Sequence, residues 1–156
     1  MIRSFIAACY SLLSQSDPTP ARPKGVVYNY DDEDEDMLAA IAEARKALPH
    51  FLSVLREGTA DHYLIKLPIW HSFGCEHIWM ERVWEDGDMF VGNIANTPNL
   101  LKDVQVGSCF EIEKTEISDW AFDRGGLLHG AYTMRVMLTR MPDSEAEYWR
   151  RRLVPQ

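Results

Sequence analysis

Residues 76–96 read EHIWMERVWEDGDMFVGNIAN, and no other stretch constrains the fold as much. Two runs rich in β-branched and aromatic residues flank Glu85-Asp86-Gly87-Asp88, where Gly87 is free to take a positive φ. That pattern predicts a β-hairpin. Its neighbours extend the theme. HYLIKLPIW (62–70) reads as a strand with Pro68 near its end, and VGSCFEIEKTEI (106–117) as another. SDWAFDRGGLLHG (118–130) holds a further hairpin around Arg124-Gly125-Gly126.

The period changes on either side of these strands. Met37, Ala40, Ile41, Ala44 and Leu48 recur at helical spacing, Pro49 begins a new turn, and HFLSVLREG makes a second short helix ended by Gly58. AYTMRVMLTRM (131–141) returns to a helical period. SEAEYWRRRL (144–153) predicts a last helix, with Ser144 as N-cap and Glu147 completing a capping box. Helices, then antiparallel strands, then helices define an α+β fold. The expected form is an antiparallel, strongly bent sheet of about five strands with N-terminal and C-terminal helices packed on it.

Residues 31–156 are expected to form one domain, preceded at 1–30 by a helix and a connector. Phe5, Ala8, Cys9 and Leu12 fit a short amphipathic helix, and prolines 18, 20 and 23 with Gly25 exclude helix from the connector. The apolar stretch before Cys9 is shorter than the roughly 7–15 residues of a signal core. The expected location is therefore cytoplasmic, or the envelope if a start further upstream restores a signal peptide. Three cysteines (Cys9, Cys75, Cys109) suit free thiols in a reducing compartment better than a disulfide framework. No apolar run is long enough to span a bilayer.

A net charge of −8 argues against nucleic acid, whose phosphates need a concentrated excess of Lys and Arg, and favours a basic protein partner. Much of the acid lies in Asp31, Asp32, Glu33, Asp34, Glu35 and Asp36. At the start of a helix such carboxylates each gain about 0.3–1 kcal/mol from the unpaired N–H groups.

WHSFGCEHIWMERVW (70–84) concentrates chemistry-bearing side chains. His71, Cys75 and His77, with His129 elsewhere, are the candidate metal ligands, but zinc-type spacings are missing and no metal is expected. Cys75 with His77, or Cys109 with a distant histidine, would be needed for a cysteine nucleophile, and no cysteine signature surrounds either. The simpler reading is a strand covered on both faces. Ile78, Met80 and Trp84 then share one side, Trp79 and Val83 the other, with Glu81 and Arg82 near the exposed end. Glu111, Glu113 and Glu116 read as a solvated strand face. Dinucleotide, P-loop and nucleophile-elbow motifs are missing, and no cofactor is expected.

In ISDWAF, Asp119 can cap a turn while Trp120 packs; in GAYTMRV, Arg135 is placed to pair with Asp119 or Glu76. Glu76, His77, Asp119, Trp120, Tyr132 and Arg135 thus form either a network tying strands to a helix or a small polar pocket.

Glu76-His77-Ile78-Trp79, Ile117-Ser118-Asp119-Trp120 and Gly130-x-Tyr132-Thr133-x-Arg135, with Ala44-Arg45-Lys46-x-Leu48-Pro49-x-Phe51 upstream, resemble the YegJ-like bacterial domain of unknown function. The resemblance covers roughly residues 37–140 and transfers no activity. Similar domains accompany ankyrin repeats, and that company looks like polymorphic-toxin immunity proteins. The expected function is non-enzymatic: binding, most concretely to a basic partner such as a toxin, through Asp31–Asp36 with Trp70 and Trp84 as aromatic anchors. The alternatives are a small-ligand or peptide module built on His77, Asp119, Tyr132 and Arg135, and an enzyme using the same residues.

Overall fold

A computed structural model describes residues 34–71, 74–98 and 102–156; the amphipathic helix and connector expected over residues 1–30 lie outside that range, as do Asp31, Asp32 and Glu33. The chain is α+β. Helix α1 (Glu35–Lys46) starts where the acidic run ends. Asp34 is its N-cap, accepting from the Met37 N–H at 3.2 Å, with Glu35 and Asp36 in the first turn and Arg45 and Lys46 in the last. Helix α2 (Leu48–Glu57) follows after Ala47 and ends at Gly58, whose φ of 63° closes the C-terminus as a side chain would not.

Six strands then build one open antiparallel sheet: β1 (His62–His71), β2 (Gly74–Asp86), β3 (Met89–Ile94), β4 (Cys109–Glu113), β5 (Asp119–Arg124) and β6 (Leu127–Gly130). Their order is β4-β3-β2-β1-β5-β6. The sheet therefore has six strands instead of a strongly bent set of about five. The sixth is the short second arm of the Gly125-Gly126 hairpin, whose two glycines take φ of 61° and 80°. Strand β4 is much shorter than the 106–117 expected. It pairs only with β3, whose ladder ends at Met89↔Glu113, so the chain turns at Lys114 when its partner runs out.

The two faces carry separate cores. Ile65, Leu67, Ile78, Met80, Phe90, Trp120 and Phe122 pack under Ala44 of α1 and Phe51 and Val54 of α2. On the opposite face Leu64, Trp79, Ala121 and Leu128 pack with Met134 and Leu138 of α3 (Tyr132–Leu138) and Ala146 and Trp149 of α4 (Asp143–Arg150). Ser144 does not cap α4. Pro142, with its φ near the ring-locked value, holds the N-cap position without a side-chain bond, and the helix starts one residue earlier. Glu147 instead bonds Arg151 one turn on, at 2.7 Å.

Strand β2 also departs from simple alternation. Arg82 has φ 52° and the β2–β3 register slips between Glu81 and Trp84, which marks a β-bulge. The extra residue inverts the facing of everything after it. Val83 joins Ile78 and Met80, and Trp84 moves to the face of Trp79 and into solvent, the reverse of the expected sides. Gly92 makes room for the bulge: a Cβ there would lie 2.9 Å from the Glu81 carbonyl oxygen.

Pro68 stands inside β1, a central strand, yet breaks no ladder. β1 pairs with β5 only as far as Lys66↔Asp119, and the Lys66 carbonyl takes the Ser118 N–H. Alternation aims the backbone groups of residue 68 at the same side, past the end of β5. A missing N–H there blunts an open edge.

Candidate functional site

Where β5 stops short, the end of β1–β2 and α1 leave a cleft of about 460 Å³. Met37, Leu38, Ile41 and Arg45 line it from α1, Pro68 and Trp70 from β1, His77 from β2, and Thr115, Glu116 and Ser118 from the β4–β5 connection. Trp70 is 68% exposed and Leu38 51%, so two large apolar side chains stand on the rim in water. Arg45 is held across the opening by the Ile117 and Glu116 carbonyls, at 2.8 and 3.3 Å.

The polar wall is His77 with Ser118. The imidazole Nδ1 and Ser118 Oγ share a hydrogen bond at 2.9 Å, and the Ser118 hydroxyl also lies 3.2 Å from the Lys66 carbonyl, to which it can donate. Nε2 faces the Cys75 sulfur at 3.7 Å. Thiol, imidazole and orienting hydroxyl are in the order a nucleophilic site needs. The electrostatics oppose that use. Burial, then the charges of Lys66 and Arg45, hold the His77 pKa down at about 3. An imidazole held that low is a poor acceptor for a thiol proton near neutral pH.

The remaining motif residues do not converge on the cleft. Asp119, fully buried, accepts from the backbone N–H of Trp120 (2.8 Å), Tyr132 (3.1 Å) and Thr133 (2.8 Å), and from the Thr133 hydroxyl at 2.6 Å. It is an N-cap supplied from another strand. The residue at the N-cap position of α3, Ala131, has φ 55° and no side-chain bond to offer, so Asp119 satisfies the helix's first N–H groups. Burial raises the Asp119 pKa, and Lys66 together with these donors opposes the rise. Lys66, itself buried, donates to Thr133 Oγ1 at 2.9 Å, which links the ammonium to the carboxylate through one hydroxyl.

Trp120 pins α1 to the sheet by donating its indole N–H to the Ala44 carbonyl at 2.7 Å. Gly130 is required beneath it: its φ is 74°, and a Cβ would meet the indole ring at 2.5 Å. Arg135 donates to the Gly130 and Val154 carbonyls (3.1 and 2.7 Å), not to Asp119 or Glu76 as the spacing suggested. Tyr132 and Arg135 border a separate, shallower depression on the other side of α1. Glu76 is buried on the face opposite His77, in register with Ile69. The motif set is thus mostly a joint between sheet and helices.

Among the described residues no three His, Cys, Asp or Glu side chains are grouped to hold a metal; the His71 side chain lies outside the described part. No helix among them is long and apolar enough to cross a membrane. Asp34 is committed to the cap and to the Arg140 guanidinium, and Asp36 meets the same guanidinium at 3.1 Å. The acidic run is therefore partly spent on structure. Trp70 and Trp84 share a face but stand roughly 26 Å apart along the β1–β2 ribbon at about 3.3 Å per residue, too far to anchor one small contact. The sequence motifs include Arg45 and Ser118 without giving either a place in a pocket, and Lys66 stands outside them; a lysine inside the apolar run HYLIKLPIW is its available signal.

An α+β domain with a sheet-end cleft and a buried Asp–Thr–Lys joint is what these elements define. Residues 34–153 match the family described as "Uncharacterized protein conserved in bacteria (DUF2314)", and the chain belongs to that family. It is 36% identical over 118 residues to the uncharacterized protein YegJ of Escherichia coli K12, covering 76% of this chain and 77% of that protein. It is 28% identical over 130 residues to a putative ankyrin repeat protein of Neisseria meningitidis serogroup B, across 77% of this chain but only 51% of that protein. No solved structure matches.

Proposed function

We propose that the chain is a non-enzymatic binding protein whose recognition site is the Trp70 cleft, and that its particular form is an immunity protein that neutralises a cognate bacterial toxin by direct contact. The observation that carries the reading is the rim. Trp70 and Leu38 are left in water beside a preformed concave surface, the arrangement of an aromatic anchor in an interface. A neutral His77 bonded to Ser118 favours recognition over proton transfer. The net charge of −8 favours a basic partner, since acidic surface speeds encounter with one. The cytoplasm fits this reading, where thiols such as those of Cys75 and Cys109 stay reduced.

The test is capture of the tagged full chain with its partner from cells that express both, followed by titration of the purified pair. Trp70→Ala is expected to weaken binding by about tenfold or more, the usual loss at a central aromatic contact. The partner expressed alone should arrest growth, and the chain should restore it. A partner-free monomer, or affinity unchanged by Trp70→Ala and Leu38→Ala, would sink the cleft as the contact.

A further inference from the structure

The two outer edges of the sheet are treated differently. The edge of β6 is already occupied by the C-terminal segment: the Leu128 N–H bonds the Arg152 carbonyl at 2.7 Å and the Val154 N–H bonds the Leu128 carbonyl at 3.0 Å. The outer edge of β4 has no such cover among the described residues.

Its two faces are sharply sorted. Cys109, Glu111 and Glu113 point to one face and are exposed; Phe110 and Ile112 point to the other, where Ile112 is buried and Phe110 half-buried. Register extends the acidic face inward, aligning Glu111 with Val91 and Trp84, Glu113 with Met89 and Asp86, and Cys109 with Asn93 and Glu81. Four carboxylates thus frame an apolar centre in which Trp84 is 48% exposed. The nearby cations do not neutralise them. Lys114 and Arg56 are bound to Glu85 on the opposite face, at 2.7 and 2.8 Å, and no described salt bridge involves Glu81, Asp86, Glu111 or Glu113.

We infer that β4 accepts an extended basic segment of a partner protein as a seventh strand. A strand laid beside β4 places alternate side chains next to Glu111 and Glu113, about 6.8 Å apart, and the intervening ones next to Phe110 and Ile112. The segment that fits alternates Arg or Lys with Val or Ile. Main-chain bonds supply affinity and the alternation supplies specificity. The inference rests on the chain being a protein binder but uses a surface separate from the Trp70 cleft.

The probe is a short synthetic peptide alternating Arg and Val, titrated into the full chain by calorimetry and by amide exchange, with a Glu–Val peptide as control. The expected result is saturable binding of the Arg–Val peptide alone, with slowed exchange in Cys109–Glu113. Glu111→Lys/Glu113→Lys should weaken binding about tenfold or more, and N-methylation of alternate peptide amides should abolish it, while Trp70→Ala leaves it unchanged. Absence of binding would overturn the inference and leave the carboxylates as a guard against edge pairing. Binding insensitive to the lysine variants or to N-methylation, or lost in Trp70→Ala, overturns it too, as does protection of β4 that grows with protein concentration without peptide, which would make the occupant a second copy. None of these outcomes touches capture of a toxin at the cleft.

Discussion

Trp79 and Trp84 stand on the same face of the same strand, and one is wholly buried while the other is half in water. Neither hydrophobicity nor strand propensity distinguishes them. Coverage does. Helices α3 and α4 pack over Leu64, Trp79, Ala121 and Leu128, which belong to β1, β2, β5 and β6, and no residue of β3 or β4 joins that cluster. The bulge at Arg82 then carries Trp84 onto the uncovered part of this face, where regular alternation would have turned it into the other core. A buried and a solvent-facing tryptophan five residues apart are therefore the boundary between the part of the sheet that holds the fold and the part available for contact.

Paired truncations test that boundary most directly. Trp79→Ala should cost about 3–5 kcal/mol, the range for emptying a buried aromatic site. Trp84→Ala should cost less than about 1 kcal/mol, as surface changes do. Urea unfolding of both variants measures the contrast. Comparable losses would mean that Trp84 is packed in the folded chain and that the uncovered half is not a free surface.

The cleft end of β2 holds a titrating group, and the sign of its effect follows from the shift. His77 is held at about 3 in the fold against 6.5 for a free imidazole, so the proton prefers the unfolded chain. The stabilisation is complete above pH 6.5 and is lost as pH falls from there towards 3, with a slope of at most about 1.4 kcal/mol per pH unit. Burial lowers the pKa of His129 as well, and Asp119, raised by burial, acts in the opposite sense. The comparison is therefore between wild type and His77→Gln. Between pH 6.5 and 4.5 the melting temperature of the wild type should fall more steeply. Asp34 and Glu85, both lowered to about 2, lose their contributions mainly below this window. Parallel profiles would show that His77 is more accessible than its bonds to Ser118 imply.

What could be read from the chain beforehand was what local chemistry controls. Asp34 at the start of α1, Gly58 at the end of α2, Gly87 in the hairpin and Gly125-Gly126 in the next one each act within a few residues. The bulge was not read, although Gly92 inside a strand was a usable sign of one, because it depends on two strands meeting. The extent of β4 depended on where β3 stops. The motif residues are legible as a set, but their division is not: Asp119, Trp120 and Arg135 bond backbone from other elements, and of the six expected pocket residues His77 alone lines the cleft, beside Arg45 and Ser118 of the same motifs. Pairings of side chain to backbone leave no spacing in the sequence, and so Arg135 was matched to a carboxylate when its partners are carbonyls.

The smallest expected effect is the most discriminating for the uncovered half. Glu111 and Glu113 have no described salt bridge, and both are exposed on an edge strand. If the fold needed them, neutral replacement would destabilise it. Glu111→Gln/Glu113→Gln should instead leave unfolding free energy within about 0.5 kcal/mol of wild type, because removing two like charges from a chain of net −8 also relieves repulsion. Chemical denaturation at low and moderate salt measures this. A loss well beyond that range would assign the carboxylates to the architecture of β4. Unchanged stability with weakened binding of a basic strand would assign them to recognition, the role that Trp84's exposure on the same face already suggests.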